Sequence, residues 1–141
     1  MKFSVGYKLP DARDCFPQIV ADYLDAVEEV YFALPGDASG RIPLGCEAEW
    51  SLEEAGAVLR SDLAAISSMQ VGCVLLLNAA CYGADAQSDR LRSDVCRKVA
   101  GLLRDRVNLT AVTTTSPFIA ETLRGRFPDL EVRASVNMRI G

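Results

Sequence analysis

Along the chain, apolar positions switch repeatedly between the short runs typical of strands and the three-and-four spacing typical of helices. Lys2 to Tyr7 is a short β-rich segment. Beyond the turn at Pro10-Asp11, Ile19, Val20, Tyr23, Leu24 and Val27 share one helical face. Glu29 to Leu34, rich in Val, Tyr and Phe, predicts a second strand closed by Pro35-Gly36, and a long irregular stretch follows to Trp50. Ser51-Leu52-Glu53-Glu54 has the form of a capping box and opens a helix with Leu52, Ala55, Leu59, Leu63 and Ile66 in register. Cys73 to Asn78 is apolar until its last residue, as in a strand buried on both faces of a parallel sheet. Ser88 is placed to cap a helix striped by Leu91, Val95, Val99 and Leu102. Leu109 to Thr115 is the fourth strand. Ser116-Pro117 opens a short helix through Ala120 and Leu123 that stops near Phe127-Pro128, and Leu130 to Met138 is the fifth strand.

Strands joined by helical crossovers lie parallel in one sheet. Helix-to-strand connections are tight, as at Phe127-Pro128-Asp129. Strand-to-helix connections are long: Lys8 to Asp14, Gly36 to Trp50, Cys81 to Gln87. In parallel α/β architectures the site gathers at the carboxyl ends of the strands, where these long loops sit. The pattern predicts an α/β fold of parallel βα repeats, a partial (half) TIM-like barrel of about five strands and four helices, with residues 1–141 as a single domain. An open, flavodoxin-like doubly wound sheet is the alternative. It is disfavoured because the first strand-to-helix turn lacks a glycine-rich phosphate loop and no helix follows the fifth strand. The expectation is therefore the amino-terminal part of a larger barrel. Its open lumen and edges call for the missing barrel half or a homodimer partner.

With half of its residues hydrophobic, the chain has the material for a real core. A net charge of -4 supplies no broad cationic field, so nucleic acid is not an expected partner. Val74-Leu75-Leu76-Leu77, the longest apolar run, is far too short to span a bilayer, and with no targeting stretch the expected location is the cytoplasm. Cys15, Cys46, Cys73, Cys81 and Cys96 show no CxxC or other metal spacing and read as reduced thiols, so no metal site or cofactor is expected within the chain. There is no histidine, which excludes Ser-His or Cys-His catalysis by this chain alone.

Several polar residues fall where a site would lie. Ser39 and Arg41, in the glycine-containing loop Leu34 to Leu44, offer donors for a carboxylate or phosphate; equally, Arg41 could pair with Asp37 or Glu47 in an ordinary surface loop. Asn78 ends an apolar strand and either ties down its own loop or contacts substrate. Thr113-Thr114-Thr115 ends the fourth strand, and helix-terminal N–H groups near Ser116 could hold an anion. Ser135, Asn137 and Arg139 alternate along the fifth strand and share a face. Tyr7 and Lys8 end the first strand at the equivalent level, Lys8 as an electrostatic stabiliser or a plain surface charge. The ligand-binding candidates are thus Lys8, Ser39, Arg41, Asn78, Ser135 and Asn137, for a peptide or small anionic substrate, and no catalytic residue is assigned.

The ordered series Glu29-Val30-Tyr31-Phe32, the Ser39-Gly40-Arg41 loop, Leu75-Leu76-Leu77-Asn78 and Arg133-Ala134-Ser135-Val136-Asn137 resembles the amino-terminal part of the collagenase-like peptidase U32 family, over essentially the whole chain. The resemblance implies a TIM-barrel-like domain in a larger parent with peptidase chemistry, or with iron–sulfur-dependent hydroxylation as in several relatives. Those relatives draw their cluster cysteines largely from beyond this region, so the resemblance transfers neither a cluster nor a nucleophile to the five cysteines here. The alternative is a non-catalytic half-barrel that self-associates and binds a small anion.

Overall fold

The computed structural model describes residues 1–11, 14–37, 39, 44, 49–79 and 81–136. Its strands are β1 (Phe3–Gly6), β2 (Val27–Phe32), β3 (Gly72–Leu77), β4 (Leu109–Thr114) and β5 (Glu131–Ala134). The connecting helices are α1 (Phe16–Asp22), α2 (Leu52–Ser68), α3 (Asp89–Arg104) and α4 (Pro117–Arg126). Every neighbouring pair of strands is parallel, and the order across the sheet is the order along the chain. Right-handed crossovers that always step in one direction put all helices on one face, whereas a doubly wound sheet reverses direction and carries helices on both. The fold is therefore α/β, with five parallel strands and four helices among the described residues, wound as half of a TIM-like barrel. The flavodoxin-like order is excluded.

The core follows from this winding. Val30 and Phe32 of β2, Cys73, Leu75 and Leu77 of β3, and Val112 of β4 point outward from the sheet. They interleave with Leu59, Leu63 and Ile66 of α2, Val95 and Val99 of α3, and Ile119 and Leu123 of α4. Helix starts are fixed locally. Ser51 Oγ accepts from the Glu54 N–H at 3.1 Å while Glu54 Oε2 accepts from the Ser51 N–H at 2.9 Å, completing the capping box. Ser88 and Ser116 cap α3 and α4 by accepting from the N–H groups of Leu91 and Ile119.

The first βα unit differs from the pattern. Helix α1 has only seven residues, and Val27, which shares helical spacing with Val20 and Leu24, is instead the first residue of β2, paired with Phe3. Pairing in the sheet overrides the local period, and Tyr23 and Leu24 are left exposed in the turn.

At the carboxyl ends of the strands, Lys98 of α3 clamps the loop that follows β2. Its ammonium lies 2.9 Å from Asp37 Oδ2 and 2.7 Å from Asp94 Oδ2. Burial works against the charge on Lys98, but the hydrogen bonds it donates to the two aspartates outweigh it and hold its pKa above the ordinary lysine value. Burial also opposes ionisation of Asp94, and the bonds from Lys98 and Arg97 outweigh it, so that carboxyl sits below its usual range. A depressed carboxyl stabilises the fold above its unfolded pKa, and that share is lost as pH falls through the folded pKa. A raised lysine stabilises below its unfolded pKa, and its share is lost as pH rises through the folded value. Urea unfolding is therefore expected to show a Lys98→Met penalty at pH 7 that shrinks as the pH is lowered below about 4. A penalty independent of pH would contradict the assignment.

Candidate functional site

The sheet face opposite the helices forms the site. Strand pairing places Ser4 beside Glu29 and Glu29 beside Gly72. Further along, Tyr31 lies beside Val74, and Leu76, Thr113 and Arg133 form a row across β3, β4 and β5. Because side chains alternate along strands, these residues share the inner face. No described helix covers that face, yet Val74 and Leu76 are buried on it. A concave sheet explains this, since its inward side chains converge over the central strands.

An ion pair spanning the concavity supports the same geometry. Arg133 Nη1 of β5 lies 2.8 Å and 3.0 Å from the two carboxylate oxygens of Glu29 on β2, passing over β3 and β4. On a flat sheet those strands would lie about 14 Å apart, at the limit of two fully extended side chains, with Val74 and Leu76 in the way. Curvature aims them at each other. The offset also fits a barrel: Arg133 is level with Leu76, four residues beyond Gly72, the partner of Glu29. Over three strand pairings that is close to the stagger of about one residue per strand in an eight-stranded barrel. Ser4 Oγ donates to Glu29 at 2.8 Å, and Nε and Nη2 of Arg133 grip Glu131 at 3.0 Å and 3.1 Å. The bonds that Arg133 donates, first to Glu131 and then to Glu29, hold the guanidinium charged well beyond its ordinary range.

Above this pair, toward the carboxyl ends of the strands, lies a cleft of about 360 Å³. Val74 and Leu76 form its floor, Glu29 and Arg133 its charged side, and Tyr31, Asn78, Thr113 and Ser135 add amide and hydroxyl groups. The surrounding loops are tied down. Tyr82 Oη donates to the Leu77 carbonyl at 2.5 Å, Thr115 Oγ1 to the Ala79 carbonyl at 2.6 Å, and the Ser135 N–H to the Thr114 carbonyl at 2.9 Å. Burial pushes the Tyr82 phenol up, so it remains a neutral donor.

Of the residues singled out in the sequence, the structure brings Asn78, Thr113 and Ser135 together in this cleft. Lys8 lies at the end of β1 among acids, 2.8 Å from Asp11 and 3.9 Å from Asp14. Ser39 is half-buried in the loop after β2. Arg41, Asn137 and Arg139 lie outside the described residues, as does Cys46. Tyr7 faces the helix layer, not the lumen: its phenol donates to Asp62 Oδ2 at 2.7 Å, and its ring meets Phe16 edge-on at 5.2 Å. Burial and the Asp62 carboxylate push the phenol far above its ordinary value, and burial also raises Asp62. The pair ties the end of β1 to α2.

Glu29, Tyr31 and Arg133 are not among the ligand-binding candidates of the sequence. The signal existed for two of them. Glu29 is a charge inside an apolar strand, and Arg133 has the same parity as Ser135 and Asn137.

The described cysteines do not converge on this cleft. Cys73 is buried on the helix side, where burial raises its thiol pKa; Cys15 and Cys81 are exposed in separate connections; Cys96 lies on α3. Among the described residues no group of three or more Cys, Asp or Glu side chains is placed to hold a metal ion. These residues therefore do not fit an iron–sulfur cluster. No helix among them is long and apolar enough to cross a membrane.

No family model and no curated protein matches the chain. Among solved structures, a dihydroorotase from Campylobacter jejuni is similar in fold, with a TM-score of 0.50 and 12% sequence identity. The alignment takes in 96% of this chain and 34% of that one, so the chain spans about a third of that protein's length. At such low identity the likeness concerns the fold alone, and it joins the strand order in identifying the chain as a partial TIM-like barrel.

Proposed function

We propose that the chain is a U32-like barrel module that holds a substrate, a peptide or a small anion, in the cleft on its inner face. The observation that supports this most is the position of that cleft: an apolar floor with Asn78, Thr113 and Ser135 gathered at the carboxyl ends of consecutive parallel strands, where α/β barrels place their sites. From the series that resembles the U32 family, Glu29, Tyr31, Leu76, Asn78, Arg133 and Ser135 line this cleft, with Glu29 and Arg133 joined across it. In this reading the chain binds and orients. The hydroxyl–carboxylate pair on this face, Ser4 with Glu29, is committed to Arg133, so this reading assigns no bond-changing step of peptidase or hydroxylation chemistry to the described residues.

The experiment is a titration of the isotope-labelled chain with gelatin-derived peptides and, separately, with inorganic phosphate, followed through backbone amide shifts. The reading expects at least one of them to move the amides of Thr113 and Ser135, while those of Val95 and Val99, on the helix side of the sheet, stay still. Shifts confined to other surfaces, or none at all, would contradict it.

A further inference from the structure

The two open edges of the sheet are complementary to each other. In β1 the N–H of Tyr7 bonds to Tyr31, so by alternation the N–H and C=O groups of Ser4 and Gly6 point away from β2. In β5 the N–H of Ser135 bonds to Thr114, so the corresponding groups of Val132 and Ala134 point away from β4. Among the described residues each edge thus offers two residues of unpaired ladder, and unpaired ladder invites another strand. Their side chains match as well. On the helix side β1 presents Phe3 and Val5, and β5 presents Val132. On the inner side β1 carries Ser4, preceded by Lys2, and β5 carries Glu131 and Arg133. Phe3 is 55% exposed, and the exposed Ile19, Tyr23 and Leu24 continue the apolar strip along α1 and the turn after it.

We propose that a second copy of this chain docks edge to edge, β5 of each copy adding in parallel to β1 of the other. The register that sets Val132 against Phe3 also sets Ala134 against Val5, Glu131 against Lys2 and Arg133 against Ser4. Apolar side chains then meet outside and opposite charges inside. A two-fold axis uses each edge once. Association stops at two copies because the closed ring of ten strands leaves no edge. The inner faces then enclose one lumen, and each cleft gains the polar side of the partner's first strand. This inference rests on the reading of the inner face as a barrel lumen and names what completes it.

Light scattering on the full chain tests it, with an expected mass twice that of the 15.3 kDa chain. A folded monomer, or open-ended growth with concentration, overturns the proposal. Gly6→Pro and Ala134→Pro each remove an N–H that points to an open edge and takes no part in existing pairing, so each is expected to yield a monomer with unchanged circular dichroism. A dimer that survives Ala134→Pro would mean that β1 pairs with β1, which also overturns it. Hydrogen exchange on the unmodified chain needs no variant: the amides of Ser4, Gly6, Val132 and Ala134 exchange slowly in the proposed dimer, and rapid exchange at these four contradicts it. Failure here leaves the ligand titration on Thr113 and Ser135 to be judged separately.

Discussion

Leu75→Ala is expected to destabilise the chain by about 2–5 kcal/mol, read as a lower urea midpoint at an unchanged slope. Leu75 has no exposed surface and lies between the sheet and the helix layer, in one cluster with Leu59, Leu63 and Ile66 of α2 and Val112 of β4. Truncation there leaves a closed void, because packed helices relax only partly. The neighbouring Leu76 points the other way, to the floor of the cleft. Leu76→Ala removes the same atoms but opens the space they leave to the cleft, so a loss of about half as much is expected. The ordering matters more than either value. In a sheet with helices on both faces the two substitutions would cost alike, and equal losses would contradict the one-sided winding.

The second large effect is expected at the pair spanning the inner face. Arg133→Gln removes the cation from Glu29, whose side chain is only 16% exposed, and is expected to cost about 1–2 kcal/mol. That is below the figure for a fully buried pair, because Arg133 is 36% exposed and water screens part of the loss. Glu29→Gln should cost less, since a neutral amide still accepts from Ser4 and leaves Arg133 with Glu131. A double-mutant cycle isolates the pair, with a coupling of about 1 kcal/mol expected between residues on strands that do not neighbour each other. Coupling indistinguishable from zero would mean that the sheet is flatter than described. Loss of the pair should also speed hydrogen exchange in β5, which pairs with β4 alone in the sheet.

Much of this fold is legible in the sequence because each of its devices is local. The Ser51–Glu54 capping box, the Ser116-Pro117 helix start and the unbroken apolar run of β3 all act within a few residues, and all three occur where the pattern places them. Val27 reads as helical because helical spacing and strand composition overlap there, and only pairing with Phe3 decides between them. The site was legible in half. Asn78 and Ser135 carry strand-end signals, whereas the partnership of Glu29 with Arg133 depends on curvature that joins residues more than a hundred positions apart. Parity along β5 points Arg133 inward, but nothing local says what it meets.

The central claim is the consecutive strand order, because the one-sided helix layer, the concave inner face and the cleft all follow from it. Inter-strand NOEs between backbone protons measure that order directly. The account predicts contacts from Ser4 and Gly6 of β1 to Glu29 and Tyr31 of β2, and none from β1 to β3. Contacts from β1 to Cys73 or Val74, as in a doubly wound sheet with β1 between β2 and β3, would contradict it.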